Sequence, residues 1–237
     1  MAVCERITIE TQEGSTLANL YAPGREGRFP PVVFLHEIFG PLEYVQKYAA
    51  KLADEGFLVL APELFRGAGG CVAYVMGEIA RGIAFNKTTR GVRIVRSCMD
   101  FMKKHARAKG SRVGVYGACL TGGYVLHLAI DDDTVPVLFH HSFGYRGAGA
   151  DRDVLDRIPG PLLGVFAQND PVLCPSRRSE ALRTALGDRI EYHVIPNTTH
   201  GILFGDSKNP EGAAEAWSYL VGFFKRQWEG EAPVEPL

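Results

Sequence analysis

Short apolar runs recur along the chain, separated by stretches whose apolar residues repeat at helical spacing. That alternation predicts an α/β protein with a mostly parallel sheet flanked by helices on both faces. Residues 7–10 and 17–22 read as an antiparallel pair joined near Gly14, ahead of a Pro23-Gly24 break. Residues 31–36 and 57–61 are near-continuous apolar runs, as expected of strands buried on both faces. Between them Val45, Tyr48, Ala49 and Leu52 fall on one helical face, and Gly56 is a stop signal. Further strands are predicted at 112–116, 135–140, 161–166 and 190–194. Helices are predicted at 72–85, 88–105, 176–186 and 213–228, and another follows the glycine-rich turn after 116 and runs to 130. No linker composition and no internal repeat divides the chain. The expectation is one domain over residues 1–229 and a frayed tail over 230–237.

Composition narrows the classes of function. Lys and Arg total 26 against 27 Asp and Glu, a formal net charge of −1, so no broad basic surface for nucleic acid or anionic lipid is expected. The uncharged stretch over residues 114–130 holds four glycines and His127 and is too short and too polar to span a bilayer. The first ten residues carry Glu5, Arg6 and Glu10, unlike the apolar core of a secretory signal. Cys4, Cys71, Cys98, Cys119 and Cys174 form neither a disulfide framework nor a zinc ribbon. A cytoplasmic protein, monomeric or a small homo-oligomer, is expected.

In open parallel sheets the reacting groups sit past the carboxyl ends of strands. After the strand at 112–116 comes Gly117-Ala118-Cys119-Leu120-Thr121 and then a helix, the arrangement of a nucleophile elbow with Thr121 in the place of its usual glycine. A thiolate at a helix start gains from free N–H groups. Asp170 follows the strand at 161–166, and His200 follows the strand at 190–194. The order Cys119, Asp170, His200 is the nucleophile, acid, histidine order of α/β-hydrolases. In these roles His200 takes the thiol proton or holds an ion pair with the thiolate, and Asp170 fixes its tautomer and orientation. Past the strand at 31–36, Glu37-Ile38-Phe39-Gly40 offers the N–H of Ile38 as one oxyanion donor, with that of Leu120 as the other.

These residues together resemble the dienelactone hydrolase family, α/β-hydrolases with a cysteine nucleophile. The likeness rests on residues 37–40, 61–65 and 114–120, Asp170 with Val172 and Pro175, and His200. It implies a triad of Cys119, Asp170 and His200, an oxyanion hole at Ile38 and Leu120, and a small lactone or ester as substrate. It also implies that Glu37 bonds the resting thiol and takes its proton when substrate binds. Family members that open dienelactone hold the substrate carboxylate with arginines, one of them four positions after the histidine, where this chain has Phe204. Arg81 or Arg66 could supply another. Losing one charge-assisted hydrogen bond costs roughly 1.5 to 3 kcal/mol, or about 10- to 150-fold in affinity. A less acidic substrate is therefore expected, with Phe39, Tyr145 and Phe204 lining an apolar pocket.

No cofactor is expected. Gly117, Gly122 and Gly123 lack the Lys-Ser/Thr of a phosphate loop. His140-His141 suggests metal binding, but neighbouring strand residues point apart, and no third ligand has suitable spacing, so no metal is expected. Two alternatives stand beside the lactone hydrolase: a general small carboxylesterase or thioesterase, and a catalytically silent binding module.

Overall fold

Every position of β3 (Pro31–Phe34), β4 (Leu58–Pro62), β5 (Val113–Ala118) and β6 (Thr134–Phe139) is buried. These are the runs in which apolar residues are nearly unbroken. The computed structural model describes residues 1–38, 42–65, 76–78, 80, 89–142, 148–206 and 208–229. Among them, eight strands form one sheet in the order β1-β2-β4-β3-β5-β6-β7-β8. β1 (Val3–Thr11) and β2 (Gly14–Ala22) pair antiparallel, β2 pairs antiparallel with β4, and every later pairing is parallel. This is the α/β-hydrolase architecture.

Alternate residues of each strand supply two apolar layers. Val113 and Val115 face one layer, Tyr116 and Ala118 the other. The first layer is closed by α2 (Arg90–Lys104), α3 (Leu120–Leu128) and α5 (Ser176–Leu186), the second by α1 (Leu42–Asp54) and α6 (Pro210–Trp228). The helix ends follow local chemistry. Thr89 caps α2 by accepting from the N–H of Val92, and Asn209 caps α6 by accepting from that of Gly212, with Pro210 in the first turn. After α1 the chain turns at Gly56, whose φ of +102° is readily available only to glycine.

The last two strands are longer than apolar periodicity predicts: β7 covers Leu162–Asn169 and β8 Ile190–Thr199. Their added residues include the exposed Gln168, Asn169 and Asn197, so the apolar pattern stops while main-chain pairing continues. Periodicity reports burial, whereas pairing needs only backbone groups. Past a register shift, Asn169 pairs with Thr199, so the next residues, Asp170 and His200, leave adjacent strand ends side by side. The short helix α4 (Arg152–Arg157) was not foreseen, since six residues are too few for a periodicity to register. Of the helix predicted at 72–85, only residues 76–78 and 80 are described. The tail at 230–237 lies outside the described residues, as do Phe39, Arg66, Arg81 and Tyr145.

Candidate active site

Cys119 stands between the last residue of β5 and the first of α3, with φ 57° and ψ −126°. A side chain in that region costs roughly 1–3 kcal/mol, and the surrounding bonds must hold it there. The N–H of Cys119 donates to Phe139 O at 3.3 Å, and its carbonyl accepts from the N–H of Ser142 at 2.9 Å. Gly117 is obligatory, because a Cβ there would lie 2.3 Å from the carbonyl oxygen of Thr121. Thr121, the departure from the usual elbow, is built into the turn. Its hydroxyl accepts from the N–H of Ala118 at 3.1 Å and shares its proton between the carbonyls of Ala118 (2.9 Å) and His36 (3.2 Å). The bond to His36 ties the elbow to the β3 exit.

That exit is braced on its other side. The Nδ1 of His36 lies 3.0 Å from Glu37 O, and its Nε2 accepts from the N–H of Leu64 at 3.1 Å, so the proton of a neutral ring sits on Nδ1. The N–H of Glu37 donates to the hydroxyl of buried Tyr44 at 3.1 Å. Ile38 follows, partly buried against the core. Leu120 heads α3, where an N–H has no helical acceptor. Both oxyanion candidates thus lie on turns fixed by hydrogen bonds.

His200 Nδ1 meets Asp170 Oδ2 at 2.5 Å. Burial opposes charge on Asp170, but the bond to His200 and the N–H groups of Leu173 and Cys174 win, and its carboxyl is held below the usual range. Burial likewise opposes charge on His200, but the bond to Asp170 and the adjacent Cys119 thiol raise its imidazole to about 10. Its Nε2 is buried beside the Cys119 thiol and makes no well-aligned hydrogen bond. Of the other described thiols, Cys98 and Cys174 are pushed up to about 12 by burial, so neither is a nucleophile at neutral pH.

One implied contact takes a different form. The thiol of Cys119 has Ser142 Oγ as its hydrogen-bond partner, at 3.2 Å, in place of Glu37. Glu37 is buried and turns its Oε1 toward Nε2 of His140, 3.5 Å away, because the β6 exit brings that imidazole between the β3 and β8 exits. The His140 ring also stands edge-on to the His200 ring, with centroids 4.5 Å apart. Glu37, His140 and His200 each offer a ligand atom, all within 4.8 Å of one another. His140 and His141 do point apart: His141 Nε2 bonds Ala148 O at 2.8 Å on the far side of the sheet. Phe204 is 44% exposed at the rim, against Tyr44, beside a groove lined by His200, Ile202 and Asn209. Ser142 and Tyr44 escaped the sequence reading, and His140 entered it only as a discounted metal ligand. Ser142 and His140 stand just past the end of a buried strand, the same signal that singled out Asp170.

Similarities to known proteins follow the geometry. The model of the dienelactone hydrolase family matches residues 17–228. A carboxymethylenebutenolidase of Rhodococcus opacus is 25% identical over 225 residues, covering 87% of this chain and 85% of its own. Among solved structures, the dienelactone hydrolase of Anabaena variabilis superposes with a TM-score of 0.72 at 15% identity, covering 95% of this chain and 98% of its own. A dienelactone hydrolase-like promiscuous phosphotriesterase from metagenomic libraries gives 0.71 at 20%, covering 94% and 98%. These structures share the fold, and the match over nearly the whole chain settles the family. With its cysteine elbow and its histidine and aspartate on adjacent strand ends, the chain belongs to the dienelactone hydrolase family.

Proposed function

We propose that this protein is a thiol-dependent hydrolase that opens a small lactone or cleaves a small carboxylic ester through an acyl-enzyme on Cys119. The observation that carries the reading is the convergence of three sequence-distant groups: Cys119 at a positive-φ elbow, and His200 bonded to Asp170 beside it. The sulfur attacks the carbonyl carbon, and the carbonyl electron pair moves onto oxygen, where the N–H groups of Ile38 and Leu120 receive it. Collapse breaks the acyl carbon–oxygen bond, and the leaving oxygen takes the proton of the His200 imidazolium. Water then attacks the thioester, His200 accepts its proton, and the sulfur departs. When substrate binds, Glu37 turns from His140 to accept the thiol proton, and it returns that proton to the sulfur once the thioester is cleaved.

Phe204 favours a second version of the same chemistry. An exposed aromatic ring where dienelactone-opening relatives carry a cation suits a neutral ester or thioester better than an acid. No helix among the described residues is long and apolar enough to cross a membrane. The free thiols of Cys4, Cys98, Cys119 and Cys174 support a reducing, cytoplasmic setting. The partner is then a small molecule, and the chain works as a monomer or small homo-oligomer.

The test is a hydrolysis screen over dienelactone, other lactones and short acyl esters, run with wild type, Cys119→Ser and Cys119→Ala. The expected result is turnover of at least one substrate, lost by orders of magnitude in Cys119→Ala. Full activity in that variant would sink the mechanism, and silence toward every substrate would favour a binding module.

A further inference from the structure

We infer that Glu37, His140 and His200 form a binding site for one zinc ion, which on binding takes the base away from Cys119. The site is read from geometry, and only its effect on Cys119 rests on the proposed hydrolase mechanism.

Three observations converge. Glu37 Oε1 and His140 Nε2 are 3.5 Å apart, long for a hydrogen bond but close to the edge of a zinc tetrahedron. With metal–ligand bonds of roughly 2.0 to 2.1 Å that edge is about 3.3 Å. One ligand atom from each of the three residues lies within 4.8 Å of the other two, so a modest side-chain closure completes the set. The atoms concerned are also only weakly engaged. Glu37 Oε1 and His200 Nε2 are buried and make no well-formed hydrogen bond, their neighbours being His140 and the Cys119 thiol. His140 Nε2 receives a long 3.3 Å bond from the N–H of Gly201. Buried polar atoms left this way are costly unless something occupies them.

The surroundings suit a borderline metal. Two imidazoles and one carboxylate favour zinc over magnesium or calcium, which seek oxygen ligands. His200 already has the outer partner that metal-bound histidines need, since Asp170 holds its Nδ1 and directs Nε2 inward. Glu37 and Asp170 together balance a double positive charge. His140 and Glu37 are buried, and His200, about one-fifth exposed, lies on the solvent side. A water or the Cys119 sulfur fills the fourth position.

The spacing rule that discounted His140-His141 looked for ligands close in sequence. The β3, β6 and β8 exits bring theirs from three separate turns.

Calorimetric titration of the metal-free full chain with zinc sulfate tests this, using wild type, His140→Ala, His140→Gln and Cys119→Ala. The expected result is one saturable zinc per wild-type chain, affinity lowered at least about tenfold by either His140 substitution, and binding retained in Cys119→Ala. His140→Gln keeps a polar side chain in case the alanine variant fails to fold, which thermal melting checks. No saturable uptake overturns the site, as does uptake indifferent to His140 and abolished by Cys119→Ala, which is zinc on the thiol alone. Because the readout is binding, loss of the hydrolase reading leaves this result standing, and the reverse holds too.

Discussion

The hydroxyl of Thr121 lies 3.2 Å from the carbonyl oxygen of His36, joining the turn that presents the nucleophile to the turn that carries Ile38. The same hydroxyl accepts from the N–H of Ala118. A residue that departs from the usual elbow glycine therefore acts as its internal brace. Thr121→Val keeps the shape and removes the bonds, leaving a buried N–H and a carbonyl less well satisfied, at a cost of about 1–3 kcal/mol. Urea denaturation is expected to show that loss, with Thr121→Ser recovering most of it. Unchanged midpoints would mean the hydroxyl is idle.

Ser142 is the partner of the Cys119 thiol. Ser142→Ala removes a hydroxyl placed to donate to the thiolate, a bond worth about 0.5–1.5 kcal/mol, and so leaves less thiolate to react. Alkylation of Cys119 by iodoacetamide should slow between about two- and tenfold, with the fold intact by circular dichroism. A faster reaction would show that Ser142 shields the sulfur instead of orienting it.

Phe204 sits at the rim against Tyr44, where the resemblance calls for a cation. Phe204→Arg is expected to shift selectivity toward carboxylate-bearing lactones over neutral esters, raising the ratio of their kcat/KM values by about 10- to 150-fold. Paired assays on one acidic and one neutral substrate read this directly. A ratio that does not move means that the carboxylate, if bound, is held elsewhere.

Stability should fall in mild acid through His141. Its ring is wholly buried, and burial pushes its pKa down to about 4 from 6.5. Between those values the unfolded chain binds a proton that the folded chain refuses. The stabilisation is therefore complete above pH 6.5 and is lost as pH drops toward 4, on the order of 3 kcal/mol in all. Burial lowers His105 and His127 as well, in the same direction. Thermal melts from pH 7.5 to 4.5 should show a shallower slope for His141→Phe than for wild type, and parallel slopes would exclude His141 as the source.

The residues proposed to carry the chemistry were legible where burial and position act together. β5 is apolar because both its faces are covered, so its end, and with it Cys119, could be found from composition and a turn signal. Asp170 and His200 were found by the same logic and their pairing was expected from their triad roles, but the means of that pairing was not legible. It depends on backbone pairing through Asn169 and Thr199, polar residues that carry no apolar period. Thr121 was legible as an exception and opaque as a brace, since its partner His36 lies 85 positions away. The surroundings of His140 were opaque for a similar reason: its neighbours in space come from other turns.

The sheet order sets β6 between the strand of the nucleophile and the strands of the acid and base, and the exit of β6 touches both: Ser142 meets Cys119, and His140 meets His200. The two halves of the chemistry thus share a common wall. Substitutions at the outer rim, such as Phe204, can accumulate singly and redirect selectivity, because each answers to few neighbours. A change in the wall must suit two partners at once, so its effects combine non-additively with those at Cys119 and His200. Along a lineage, the rim is free to drift while the wall can move only in concert.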